Sequence, residues 1–322
     1  MDQVLLSYAF DGKGGGRKIA GEEIAQQLKD DQLAWVHLEA NHPDTRSWLE
    51  KELSYLDPFV TEALLAEETR PRMTQIGDGV LLILRGVNLN ENASPEDMVS
   101  IRLYADNHRI ISVRKRRLKA VWDLAERIDE GRGPKNCGDF IAQLASRLFE
   151  RMQPVLTELD EITDNIEEHI LETADQSLRS QIIDVRRKAI IFRRYMAPQR
   201  DAISQLVIAD LSWVDAQNKR HLQEALNHVT RYLEDLDAIR ERAQVVKDEL
   251  ANILANKLNH NLYVLSVIAA IFLPLGFLTG LLGINVGGIP GAENTASFWI
   301  FCAILIALVI AQILLFKKLK WF

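Results

Sequence analysis

Asn261 to Ile284 reads NLYVLSVIAAIFLPLGFLTGLLGI, and a second apolar run, Ser297 to Phe316, reads SFWIFCAILIALVIAQILLF. Between His260 and Lys317 the only formal charge is Glu293. At about 1.5 Å per residue, each run can cross a hydrocarbon core roughly 30 Å thick. Two buried helices of a soluble protein would be the alternative, but runs this long with a single charge between them are hard to bury in one. The charged residues crowd the first 260 positions instead, and a break that sharp marks a boundary between soluble and membrane parts.

The flanks set the orientation. The second run ends in Lys317-Lys318-Leu319-Lys320-Trp321-Phe322, a basic anchor with aromatic residues. The loop Val286–Ala296 has no Lys or Arg, so it is expected outside and both termini in the cytoplasm. Met1-Asp2-Gln3 opens without a basic stretch and apolar core, so no signal peptide is expected. Cys137 lies in a polar region and Cys302 in an apolar run; they are expected unpaired, as in a reducing compartment. A net charge of −7 argues against a nucleic-acid partner and suits the attraction of cations.

Upstream, apolar and β-branched residues predict strands over Gln3–Phe10, Leu33–Glu39, Val80–Asn88, Val99–Ala105 and Arg109–Arg114. Helices are predicted over Ile19–Lys29, Thr45–Glu52, Pro58–Glu67 and Lys119–Glu130. This order implies an α/β/α layered domain. Beyond Asp139 the pattern is helical, over Phe140–Leu171 and Gln176–Leu206, until Asp210-Leu211-Ser212-Trp213 breaks it, with Ser212 a candidate cap. From Trp213 there is no Gly or Pro before Pro274. An apolar stripe from Leu222 through Leu226, Val229, Leu233, Leu236, Ala243, Val246 and Leu250 to Ile253 reads as one helix running into the first span. Roughly 90 Å of helix is expected to lie alongside copies of itself as an oligomeric stalk.

The expected fold is therefore an α+β membrane protein. A cytoplasmic α/β/α domain with a helical extension covers 1–212, a stalk helix 213–261, and the first transmembrane helix 262–284. An outer loop covers 285–296, the second transmembrane helix 297–316 and a basic tail 317–322.

No P-loop, GxGxxG, GxSxG or HExxH is present, so neither an enzyme nor an ATP-driven pump is expected, and no nucleotide or resident cofactor. In the first span Leu262, Ala269, Leu273, Gly276, Gly280 and Gly283 recur at steps of three, four and seven, on one narrow helix face. Small residues there suit either close helix packing or the lining of a pore. Pro274 removes one helix hydrogen bond. Two spans cannot enclose an aqueous path, so transport requires several chains about one axis.

Other polar groups leave alternatives open. Asp160, Glu161, Asp164, Glu167 and Glu168, with Glu234, Asp235 and Asp237, form either a cation funnel or solvated helix faces. His221 and His228, one heptad apart, make either oligomeric rings for a metal such as zinc or ordinary stalk residues. His260, between Asn259 and Asn261, either rings the inner mouth of a pore or caps a membrane helix.

The order of long charged helix, apolar span, Gly283-Ile284-Asn285, short loop, second span and basic end resembles the CorA superfamily of divalent-cation transporters. Its mark is Gly-Met-Asn after the first of two spans. Ala270-Ile271-Phe272-Leu273-Pro274-Leu275 with Phe277, and farther back Arg187, Arg193-Arg194 and Pro198, are similar to that family. Ile284 departs from its Met, the acidic Met-Pro-Glu-Leu loop is missing, and Val286-Gly287-Gly288-Ile289-Pro290-Gly291 resembles the zinc-handling ZntB branch. The resemblance implies a homopentameric funnel in the bilayer of a bacterial inner (plasma) membrane. Asn285 would ring the outer entrance, and Leu262, Leu265, Ala269, Leu273, Gly276 and Gly280 would line the conduit. Glu293, His260, His221 and His228 are candidate metal contacts. The transported ion would be Zn2+, taken up with protons. The alternatives are a CorA-type Mg2+, Co2+ or Ni2+ channel, zinc efflux, and a membrane-anchored coiled-coil scaffold that transports nothing.

Overall fold

A computed structural model describes residues 2–67, 69–170, 176–283, 289, 291 and 294–318. The chain forms two compact units, 1–248 and 249–322.

The first unit is built on a seven-stranded sheet. In chain order its strands are β1 (Val4–Phe10), β2 (Gly16–Lys18), β3 (Ala34–Glu39), β4 (Arg72–Ile76), β5 (Gly79–Gly86), β6 (Val99–Ala105) and β7 (Arg109–Arg114). Their spatial order is β2-β1-β3-β7-β6-β5-β4. Only β3 and β7 run parallel, with Val36 opposite Ile111; every other pair is antiparallel. The helices are α1 (Glu22–Gln27), α2 (Asp44–Glu52), α3 (Pro58–Leu65), α4 (Lys119–Asp129), α5 (Cys137–Glu150), α6 (Gln153–His169), α7 (Gln176–Ile208) and α8 (Ala216–Gly283), the last continuing into the second unit.

Side-chain alternation builds the layers. Val36, Leu38, Ile111 and Val113 point one way, onto Ile24, Leu28, Trp48, Leu49, Val60 and Leu64 of the α1–α3 segment. Trp35 and His37 point the other way, where Trp35 meets the edge of Phe140 on α5 at 4.9 Å and His37 faces Trp122 on α4. The α/β/α layering expected from the sequence is thus realised. Two strands escape sequence reading. β2 and β4 are short edge strands carrying Arg17, Lys18, Arg72 and Gln75, a composition that suits a sheet edge and hides its strand character.

Local chemistry fixes the helix ends. The Asp57 carboxylate accepts from the Phe59 amide, with Pro58 in the first turn of α3, and the Asn136 side chain accepts from the Asp139 amide. The helical stretch expected over Phe140–Leu171 holds two helices: α5 ends at Glu150, and α6 restarts with Pro154 in its first turn. The cap of α8 is Asp215 rather than Ser212. Its carboxylate accepts from the Asn218 amide and its carbonyl from the Lys219 amide. The apolar stripe of α8 is already covered within one chain, with Leu222, Val229, Leu236 and Ala243 fully buried. Arg193 on α7 pairs with Asp237 on α8 at 2.7 Å. The stripe of the first unit is thus covered by elements of the same chain.

In the second unit, the rest of α8 is followed by α9 (Ser297–Lys318). Both are long and apolar enough to cross a membrane. Cys137 is buried, and neither it nor Cys302 is in a disulfide.

Candidate ion-conduction site

The first span has two unlike faces. Val267, Ala270, Ile271, Pro274, Leu275 and Leu278 are buried or half-buried, whereas Leu262, Leu265, Ala269, Leu273, Gly276 and Gly280 are all exposed. At about 100° per residue, the two sets lie on opposite sides of the helix. The covered side carries the contact with α9, where the Gln312 amide donates to the Ala270 carbonyl at 3.1 Å. The candidate conduit face is the side that the described residues of this unit leave open.

The glycines on the open face are not there to admit α9. A Cβ placed on Gly276, Gly280 or Gly283 would meet nothing within 4 Å. Packing against the second span is therefore excluded as the reason for their size. Their size leaves room on that face for close approach of another chain or for the bore of a path along the helix. Leu262 and Leu273 stand out from the same face, with 53 % and 71 % of their surface exposed. Of the signature tripeptide, Gly283 ends α8 and is exposed; Ile284 and Asn285, like Glu293, lie outside the described residues.

Polar side chains modify the backbone of this apolar helix. Ser266 donates to the Leu262 carbonyl at 2.8 Å, and Thr279 donates to the carbonyls of Leu275 and Gly276. Such back-bonding satisfies the hydroxyls in a medium without water and bends helices slightly.

The candidates outside the two spans are distributed differently from the sequence expectation. Asp160, Asp164 and Glu167 of α6 converge on one cation, Arg242 of α8. Asp237 is shared by Arg193 and Arg240. Half of the supposed cation funnel is thus spent on ion pairs inside one chain. Asp235 lines a cavity of about 440 Å³ with His228, Arg231 and Asp160; burial, then the nearby Asp160 charge, pushes its carboxyl up from the ordinary range. His221 and His228 open together onto a neighbouring cavity of about 180 Å³ with Glu150 and Glu224. His260 is exposed on α8. Among the described residues, no three His, Cys, Asp or Glu side chains come together closely enough to hold a metal ion. Arg242 and Gln312 are the functional candidates that sequence reasoning missed. Gln312 could have been found as the one amide in an otherwise apolar second span.

Comparison with known proteins places this architecture. The family model for the CorA-like Mg2+ transporter protein matches residues 30–318. The chain belongs to the CorA family. It is 39 % identical over 323 aligned positions to the divalent cation transporter CmaX of Pseudomonas aeruginosa, covering 99 % of this chain and 96 % of that one. It is 35 % identical to the zinc transport protein ZntB of Yersinia enterocolitica, covering 100 % and 97 %. The solved full-length CmaX structure superposes with a TM-score of 0.87 at 38 % identity, over 99 % of this chain and 98 % of that one. This CorA-family member is accordingly a membrane protein that transports divalent cations, not an enzyme. It pairs a mixed-sheet α/β domain with a long helix and two apolar C-terminal helices.

Proposed function

We propose that five copies of this chain surround a common axis in the bacterial inner membrane and conduct hydrated Zn2+ into the cytoplasm, with both termini on the cytoplasmic side. The observation that carries this reading is the open face of the first span. Leu262, Leu265, Ala269, Leu273, Gly276 and Gly280 lie on the side of the helix away from α9, and all six are exposed among the described residues. Turned toward an axis, that face makes a path with small-residue stretches and leucine constrictions that hold back ions by excluding water.

At the outer end, a ring of Asn285 carboxamides would offer oxygens without net charge. Such a ring accepts a divalent ion through its first-shell waters rather than stripping them, because complete dehydration costs more than neutral amides return. Ile284 in place of Met, the Gly-Gly-Ile-Pro-Gly that follows and the likeness to zinc transport proteins support zinc. No Asp, Glu, Lys, Arg or His lies in Asn261–Gly283 or Ser297–Phe316, so protons that accompany the metal would travel on water or on groups at the mouths. An inside-negative potential favours influx by about 2.3 kcal/mol per charge per 100 mV.

A broader divalent-cation conductance is the second reading, favoured by the higher identity to CmaX. Proteoliposomes loaded with zinc- and magnesium-sensitive dyes separate the two. Zinc influx that an acidic exterior accelerates, with little magnesium influx, is expected. Comparable magnesium influx would favour the broader reading, and no zinc influx at any external pH would end the zinc proposal. Asn285→Ala should then assemble but lose flux or discrimination.

A further inference from the structure

Pro274 lies in the middle of the first span, inside the continuous helix α8. A proline has no N–H, so the carbonyl four residues earlier loses its helical donor. That carbonyl belongs to Ala270. In a hydrocarbon surrounding no water replaces the missing donor, and an unsatisfied carbonyl there is costly. The second span supplies one: Gln312 Nε2 donates to Ala270 O at 3.1 Å. The orientation of the amide follows from chemistry, since only its NH2 end can face a carbonyl oxygen. Gln312 is also the only residue of Ser297–Phe316 with a carboxamide or charged side chain.

The position of this contact matters. Ala270 and Pro274 are on the covered side of the helix, while Leu273 and Gly276, adjacent in sequence, are on the open side. A backbone held at Ala270–Pro274 therefore sets where Leu273 and Gly276 stand. Without the clamp, the turn around Pro274 has lost a hydrogen bond and is free to rearrange.

We propose that Gln312 is a positioning residue of the conduit: it replaces the helix donor that Pro274 lacks and so holds the first span in one arrangement at the level of Leu273 and Gly276. The inference rests on the conduit reading above. It does not depend on which metal passes.

A double-mutant cycle tests it. Gln312→Leu removes the donor at similar volume, and Pro274→Ala restores an N–H to Ala270, making the donor unnecessary. Full-length protein is reconstituted in vesicles containing a zinc- or magnesium-sensitive dye. Basal leak per assembled oligomer is measured without a pH gradient, and amide exchange is followed over residues 266–282. Gln312→Leu should raise leak at least threefold and speed exchange, whereas in the Pro274→Ala background it should change neither. A loss of bulk stability alone would lower assembly and would not produce this pattern. Equal effects of Gln312→Leu in both backgrounds, or none in either, would overturn the proposal. If Gln312→Leu and Gln312→Met both fail to assemble, assembly of the Pro274→Ala/Gln312→Leu protein supports it, and failure of that protein while Pro274→Ala alone assembles refutes it. Should the unaltered protein pass no divalent ion, the conduit reading falls, and the exchange cycle still decides whether the clamp exists.

Discussion

Arg242 grips Glu167 with two parallel bonds, Nε to Oε1 at 2.9 Å and Nη2 to Oε2 at 2.6 Å. The same guanidinium also holds Asp160 at 2.8 Å and the Asp164 carboxylate. One residue of α8 thereby ties three acidic side chains of α6. The guanidinium proton is held more firmly than usual, chiefly by hydrogen bonds to Glu167 and Asp164.

Replacing that cation should expose the carboxylates as ligands. Arg242 retains 33 % exposure and its partners more, so solvent screening limits its stabilising effect to about 1 kcal/mol. Arg242→Ala should lower the Tm by roughly 2–4 °C, with a difference that shrinks in high salt. It should also raise divalent-cation binding, measured by calorimetric titration of the full-length protein in detergent. Unchanged binding would show that the three carboxylates do not act together once the arginine is gone.

Gln199 plays the part of a missing strand. Pairing of β4 with β5 ends at Arg72 opposite Ile83. Two residues on, the Gln199 carboxamide accepts from the Arg85 N–H at 2.6 Å and donates to the Arg85 carbonyl at 3.0 Å. Gln199 is fully buried on α7, so this reciprocal pair fastens α7 to the sheet. Gln199→Leu leaves two backbone groups without that partner and should cost about 2–4 kcal/mol. The denaturant midpoint of the transition of the first unit measures the loss; a shift under about 1 kcal/mol would mean that water replaces the amide.

These two residues mark how far the sequence could be read. The apolar runs at 261–284 and 297–316 show membrane helices by composition alone, and the alternation in β3 and β7 shows which side chains face each layer. The edge strands β2 and β4 carry polar residues and give no such signal. The open face of the first span was legible because its spacing is local. Its separation from α9, the coupling of Arg242 to α6 and the contact of Gln312 with Ala270 depend on residues tens of positions apart. No periodicity records such pairings, and the acidic run on α6 therefore read as a funnel when much of it is paired.

The buried histidine of β3 makes folding pH-dependent. His37 is fully buried, with Nδ1 2.8 Å from the Ser112 hydroxyl. Burial, followed by the Arg114 charge, lowers its pKa to about 3. The unfolded chain takes up this proton near the ordinary value of about 6.5. Above that pH the ring is neutral in both states and its contribution is fully present. Between pH 6.5 and 3 the unfolded chain holds more protons, so stability falls as pH falls, by up to about 1.4 kcal/mol per pH unit. His37→Leu should flatten this limb in denaturation series from pH 7 to 4. A slope unchanged by the substitution would assign the acid sensitivity to other groups.

Leu273 tests whether the open face is a water-excluding constriction. It projects from the first span with 71 % of its surface exposed, while Leu282, nine residues on and 47 % exposed, stands about 180° around the helix from it. A ring of leucines resists hydration because apolar walls give water no hydrogen bonds, and a small polar side chain there lets a water column form. Leu273→Ser should raise basal zinc leak into vesicles by about tenfold, the equivalent of about 1.4 kcal/mol off the barrier, whereas Leu282→Ser should leave it near the starting rate. Both proteins are compared at equal amounts of assembled oligomer. Leak that rises equally in the two would mean the substitutions merely loosen the membrane unit, and leak that rises only in Leu282→Ser would place the path on a different face of the helix.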